Sequence, residues 1–260
     1  MPTISVRDRR ISYESQPKAL NPDKLAIIFI HGTGGDSNDW RYQLEGLCSQ
    51  FQVVAIELPG HGGSDGPGES EVAKYTDWVQ DFVEEMRLVK VFLVGCSLGS
   101  AIALNAALNP RHWLKAIGLV GAGARLRVIP ELLDALINNP EPALDQLGGY
   151  CLSDNPPESL LSLIKQKYSA SNPVLIHGDL SACDKFDIME KVSSIKLPTS
   201  IIVGAQDKLT PVKYSVYLNK ALENSTLTVI ENAGHLVMLE QPENFNLSIG
   251  RFLEDIGCSS

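Results

Sequence analysis

An α/β protein built on a parallel sheet covered on both faces is the architecture this sequence predicts, and three observations carry that prediction. Continuous apolar runs of strand length alternate with segments of helical periodicity along most of the 260 residues. A strand buried on one face only would alternate apolar and polar residues, so unbroken apolar runs point to a sheet with helices on both sides. The run at 91–94 enters a helix through Gly95-Cys96-Ser97-Leu98-Gly99, a G-x-S-x-G turn. A glycine-rich loop, His31-Gly32-Thr33-Gly34-Gly35, directly follows the apolar run at 25–30.

Residues 3–14 read as a short hairpin with Asp8 and Arg9 near its turn. Residues 25–30 form a strand and 40–47 a helix. Residues 52–58 form the next strand, ended by a loop rich in Gly, Pro and Ser that reaches Ser70. Val72, Tyr75, Val79, Phe82 and Met86 then recur at helical spacing. Strands at 91–94 and 116–120 flank a helix over 98–108, and later strands lie at 199–204 and 226–230. Between about 121 and 187 the alternation stops. Ile129, Leu132, Leu133, Leu136 and Ile137 repeat at helical spacing there, as do Leu160, Leu161, Ile164 and Tyr168. Pro140, Pro142, Pro156, Pro157 and Pro173 punctuate the stretch. The chain therefore divides into a core domain, 1–121 and 187–260, and an inserted helical cap, 122–186.

Composition bounds the function. The chain is long enough for one sizeable core, and 44% hydrophobic with 20% charged residues is ordinary for a globular protein. A net charge of −9 argues against a phosphate backbone or an anionic membrane as partner. Cys48, Cys96, Cys151, Cys183 and Cys258 are odd in number and scattered, which fits reduced thiols better than a disulfide framework. The first ten residues lack the apolar stretch of a signal peptide, and no run approaches bilayer-spanning length. A cytoplasmic location is expected.

The G-x-S-x-G turn is sharp enough to strain its serine and lift the hydroxyl clear of the sheet. A serine hydroxyl is a poor nucleophile near neutral pH, so it needs a base and an acid that orients the base. Both occur downstream, in the chain order this turn predicts. Asp207 follows the strand at 199–204, and His235 follows the strand at 226–230. All three residues leave the C-terminal ends of strands, the edge where a parallel sheet places its ligand crevice.

With these residues in hand, the chain resembles the α/β-hydrolases of the lipase-like, esterase and enol-lactonase group along nearly its whole length. The resemblance rests on His31 to Gly35 through Trp40, on Leu58-Pro59-Gly60-His61-Gly62-Gly63-Ser64, and on Gly95 to Gly99. Gly204 to Asp207 and Ala233-Gly234-His235 with Glu240-Gln241-Pro242 complete it. It implies a carboxylic-ester hydrolase with Ser97 as nucleophile, His235 as base and Asp207 as orienting acid. The amides of Thr33 and Leu98 are the implied oxyanion donors, and the inserted helices a lid in which Leu133, Leu136 or Leu161 would tune acyl preference. Related activities on a lactone, a thioester or a C–C bond, and a ligand-binding receptor keeping the triad, remain alternatives.

Other residues have plainer roles. Asp184 and Asp187, where the cap rejoins the core, are expected to cap a following helix. His31 and His61 brace loops, His112 is exposed, and His177 lies in the cap. Trp40 packs. Cys96 stands where ring-cleavage C–C hydrolases usually carry asparagine, and the arginine–tryptophan pair of their caps is missing. An aspartate nucleophile, as in haloalkane dehalogenases, is replaced by Ser97. No histidine pair has metal-ligand spacing, and no G-x-G-x-x-G fingerprint lies on a strand–helix turn. No cofactor or metal is therefore expected. The expected partner is a small-molecule ester, without nucleic acid or membrane insertion, and a homodimer is compatible with the sequence.

Overall fold

The computed structural model describes residues 1–257. Its opening hairpin pairs β1 (Thr3–Val6) with β2 (Arg9–Gln16). The turn residues Arg7 and Asp8 take φ of 49° and 65°, the left-handed pair that suits the twist of a tight hairpin. The remaining strands are β3 (Ala26–Ile30), β4 (Gln52–Ile56), β5 (Val91–Cys96), β6 (Leu114–Val120), β7 (Thr199–Gly204) and β8 (Ser225–Ile230). Helices α1 (Arg41–Gly46), α2 (Val72–Glu85) and α3 (Leu98–Leu108) connect the first of them. Four more, α4 (Pro130–Asn138), α5 (Pro140–Tyr150), α6 (Glu158–Ser169) and α7 (Pro173–Lys185), lie between β6 and β7. Then come α8 (Val212–Ala221), α9 (Val237–Glu240) and α10 (Pro242–Asp255).

One eight-stranded sheet runs in the order β1-β2-β4-β3-β5-β6-β7-β8. The pairs β1–β2 and β2–β4 are antiparallel; every neighbouring pair from β4 to β8 is parallel. From β3 the chain crosses to β4 on one side and later to β5 on the other. That reversal opens a crevice at the C-terminal edge, where loops from adjacent strands diverge. The loop after β3 carries Thr33 and the turn after β5 carries Ser97, so the topology itself brings these two together.

Both sheet faces are covered, as the apolar runs predict. Along β3, Ala26, Ile28 and Ile30 pack with Tyr75, Val79 and Phe82 of α2. Ile27 and Phe29 face the other way, toward Trp40 and Phe245. The Trp40 ring stacks on Phe29 at 4.6 Å between centroids and is fully buried, so its role is packing. Inserted-helix residues Leu144, Leu147, Ile164 and Ile176 join this second cluster, so the insertion packs against the core.

The insertion contains two more helices than its apolar repeats reveal. Pro140 and Pro173 begin α5 and α7 at the first helical turn, where the missing N–H costs nothing. These prolines start helices. Asp184 and Asp187 depart from expectation too, because no α-helix begins directly after them. Asp184 lies in the last turn of α7 and accepts the Val128 N–H at 3.1 Å. Asp187 accepts the Met189 N–H at 3.2 Å and faces Arg125 and Arg127 at 3.8 and 3.5 Å.

Among the described residues Cys48 is exposed, while Cys96, Cys151 and Cys183 are buried, and all four are free; Cys258 lies outside them. No described helix is long and apolar enough to cross a membrane. No group of three or more His, Cys, Asp or Glu residues among them is arranged to hold a metal ion.

Candidate active site

Ser97 sits between β5 and α3 with φ 54° and ψ −113°, a strained conformation for a residue with a side chain. The strain follows from the turn's two glycines. A Cβ on Gly95 would strike the Gly99 carbonyl, and one on Gly99 would strike the Ile30 carbonyl. Strand, turn and helix thus approach at backbone contact, and Ser97 has nowhere to point but outward.

Asp207 and His235 meet at the same edge. The His235 Nδ1 lies 2.8 Å from Asp207 Oδ2, and both residues are buried. Asp207 Oδ1 accepts the N–H groups of Leu209 and Thr210 at 2.9 and 2.8 Å. Its Oδ2 also accepts the Thr210 hydroxyl at 2.8 Å. Burial by itself would raise the Asp207 pKa, but the His235 imidazole and the Thr210 donors outweigh it and hold the carboxyl below its ordinary value. An ionised Asp207 accepts from Nδ1–H, which leaves Nε2 of a neutral His235 as the free acceptor. The Thr210 contribution escapes motif reading. Its signal is the D-x-x-T spacing after a strand, a pattern in which aspartate accepts local N–H groups.

Glu240 is a second residue whose role no motif revealed. Its carboxylate accepts the Gly234 N–H at 2.6 Å and the Ser153 N–H at 3.0 Å. It ties the loop before His235 to the segment after α5. The Leu236 N–H donates to the Cys151 carbonyl at 3.0 Å, a second tie of the same kind.

Opposite Ser97, the loop after β3 closes as a tight turn. The Gly32 carbonyl accepts the Gly35 N–H at 3.0 Å and lies 2.8 Å from His31 Nδ1. Because the Leu58 N–H donates to His31 Nε2 at 3.1 Å, the ring proton is on Nδ1 and His31 is neutral. Burial drives its pKa well down, and the neighbouring His61 adds to the effect. In a trans peptide the N–H points opposite to its carbonyl, so the Thr33 N–H turns away from these inward partners. Leu98 opens α3, where the first N–H groups have no intrahelical partner and the helix dipole favours negative charge. Neither N–H has a protein acceptor among the described residues.

His61 is fully committed elsewhere. Its Nδ1 faces the Pro59 carbonyl at 3.1 Å and its Nε2 faces Asp179 at 2.9 Å. Two acceptors require two N–H groups, so His61 is the imidazolium of a buried ion pair. Burial alone would lower its pKa, but Asp179 overrides this and raises it. His112 is exposed and His177 is half-buried on α7.

Two cavities meet at Ser97. A small one of about 40 Å³ is lined by Thr33, Ser97, Ile164, Lys167, Tyr168 and His235. A larger cleft of about 650 Å³ runs from Ser97 past Leu132, Ala135, Leu147, Leu209 and Tyr214. The helical insertion therefore shapes both. Leu132, Ala135 and Leu147, rather than Leu133, Leu136 or Leu161, present the apolar cleft surface. Lys167 pairs with Asp39 at 2.6 Å and Asp36 at 3.3 Å, joining α6 to the loop after β3.

The sequence pattern of the Alpha/beta hydrolase family matches residues 27–246, and the chain belongs to that family. A solved structure described as a thermophilic esterase is 34% identical, with a TM-score of 0.87, covering 98% of each chain. Pyrrolizixenacetamide deacetylase of Xenorhabdus hominickii is 27% identical over 98% of this chain and 100% of its own length. The 3-oxoadipate enol-lactonase 1 of Acinetobacter baylyi is 25% identical over 89% of both. These relatives support hydrolase activity.

Proposed function

We propose that the protein is a carboxylic-ester hydrolase acting through a Ser97 acyl-enzyme. The observation that carries this reading is the strained Ser97 sharing a cavity with His235, whose Nδ1 is held by Asp207. In this mechanism Ser97 Oγ attacks the ester carbonyl while His235 Nε2 takes its proton. The oxyanion is met by the Thr33 and Leu98 N–H groups, which are preorganised and engaged by no other acceptor among the described residues. His235 then gives its proton to the departing alkoxide, leaving the acyl group on Ser97. Water, deprotonated by His235, attacks in turn and releases the acid, restoring Ser97. No step requires a cofactor.

We also propose that residues 122–186 act as a cap which shapes both cavities at Ser97, and that the enzyme is cytoplasmic and acts on small molecules. The solved esterase at 34% identity supports the ester assignment. A lactone is the second reading, favoured by the enol-lactonase relative, since ring opening uses the same steps with the alcohol tethered. Specificity constants for matched aryl esters, lactones and acyl thioesters test the proposal. Esters ranking first supports it, lactones ranking first favours the second reading, and turnover of none points to a ligand-binding protein.

A further inference from the structure

The peptide unit joining Thr33 to Gly34 is gripped at both polar ends by the helical insertion. Its carbonyl, on Thr33, accepts the Tyr168 hydroxyl of α6 at 3.1 Å. Its N–H, on Gly34, donates to Asp179 of α7 at 3.0 Å. This unit is the middle of the four-residue turn Gly32 to Gly35, closed by the Gly35 N–H on the Gly32 carbonyl. Gly34 has φ 63°, the left-handed value that the third residue of a type II turn requires. Type I and type II turns differ chiefly in which way this central peptide faces. A flip of this peptide would rotate Thr33 ψ and Gly34 φ, the torsions on either side of it, and so unsettle the adjoining Gly32–Thr33 peptide, whose N–H is the proposed oxyanion donor.

Asp179 is well suited to prevent the flip. It is fully buried, and its carboxylate also accepts the Tyr75 hydroxyl at 2.6 Å and faces His61 at 2.9 Å. Tyr75 and His61 belong to the core, so the carboxylate is held from below while it holds Gly34 from above. The imidazolium of His61 balances the charge, which lets a carboxylate occupy a dry position next to the oxyanion loop. Nothing in the three catalytic roles uses these residues.

We infer that Asp179 is a positioning residue, which with Tyr168 locks the Thr33–Gly34 peptide so that the Thr33 N–H stays aimed at the oxyanion. The inference rests on the acyl-enzyme reading of Ser97. Hydrolysis would then depend on the insertion for assembly of the oxyanion hole as well as for substrate shape.

The test compares three single variants and one double variant in ester turnover, phosphonate inactivation and thermal unfolding. Asp179→Asn substitutes an amide that cannot accept from every donor around it. It should lower kcat about 10- to 100-fold, less than the loss of a whole oxyanion donor, with KM changed by less than about threefold. Phosphonate inactivation should slow by the same factor, because attack at phosphorus places negative charge in the same hole. Tyr168→Phe releases the other end of the same peptide and should slow both reactions in the same direction. Combining the two should cost less than the product of the single effects, since a peptide freed at one end is already mobile. Tyr75→Phe removes a donor to Asp179 without touching the peptide. It should lower Tm and reduce kcat by clearly less than Asp179→Asn does, because His61 still anchors the carboxylate and its contact with Gly34 is untouched.

Unchanged kcat in Asp179→Asn would overturn the inference, as would an equal kcat loss in Tyr75→Phe. Should Asp179→Asn not fold, an undiminished kcat in Tyr168→Phe would overturn it by itself. The acyl-enzyme reading is judged separately, by turnover and Ser97 labelling in the parent protein.

Discussion

Replacing Asp207 by asparagine removes one charge and no volume, and the hydrogen bonds around the side chain dictate the outcome. Oδ1 accepts two backbone N–H groups, from Leu209 and Thr210. An asparagine here must keep its carbonyl oxygen on that side, because its NH2 group would oppose two donors. The NH2 then faces the Thr210 hydroxyl and His235 Nδ1, where Oδ2 stood. The hydroxyl can turn to accept, but His235 can accept only by giving up the Nδ1 proton. The ring proton moves to Nε2, and the proposed base loses the lone pair that takes the proton from Ser97. The expected loss in kcat is on the order of 10⁴, with KM little changed. Asp207→Ala imposes no tautomer and leaves both forms accessible. It should therefore be no worse than Asp207→Asn and better by severalfold, despite being the larger truncation. Steady-state turnover of an aryl ester near neutral pH compares the two, with circular dichroism to check folding. An asparagine variant within about tenfold of the parent would refute the tautomer reasoning.

The same geometry has consequences for pH and for selectivity. Loss of stability in acid should track Asp207: its pKa is lowered in the fold, so its contribution is present above its unfolded pKa and falls away as pH drops through the folded value. Asp207→Asn should therefore flatten the decline in Tm below about pH 4. His61 has the opposite sign. Its raised pKa contributes stability that is full below about pH 6.5 and lost as pH rises through the folded value, so the Tm gap between the parent and His61→Gln should narrow above that pH. The groups facing His61 are Asp179, His31 and Tyr75, and none but Asp179 supplies a counter-charge. Filling the larger cleft with Ala135→Phe should disfavour long acyl chains against acetate esters about ten- to two-hundred-fold, with acetate turnover retained. Matched p-nitrophenyl esters of two to eight carbons measure it.

Much of this architecture was legible because each signal was local. The apolar runs of β3, β5 and β7 could belong only to strands covered on both faces, and the G-x-S-x-G turn placed Ser97 without reference to anything distant. Ser97, Asp207 and His235 could be ordered because each lies in the connection that follows a strand. What escaped involved partners far apart in sequence. Asp179 lies more than a hundred residues from Gly34, Tyr75 and His61, and on α7 it reads as one polar residue in an ordinary helix. Glu240 belongs to a quoted motif, yet its partner Ser153 lies in the insertion. Pro140 and Pro173 misled by position, since proline stops one helix and starts another with the same residue. Leu136 shows why a periodic leucine is a poor pocket marker. Its 2% exposure packs it inside the insertion, while the neighbouring Ala135 faces the cleft.

The central claim is that Ser97 carries the acyl group, and covalent trapping tests it most directly. An aryl methylphosphonate should add one phosphonyl group per chain in intact-mass measurement, with loss of all esterase activity. Peptide mapping should place the adduct on Ser97, and Ser97→Ala, folded as judged by its Tm, should take up none. An adduct on another residue, or activity that survives in Ser97→Ala, would contradict the account.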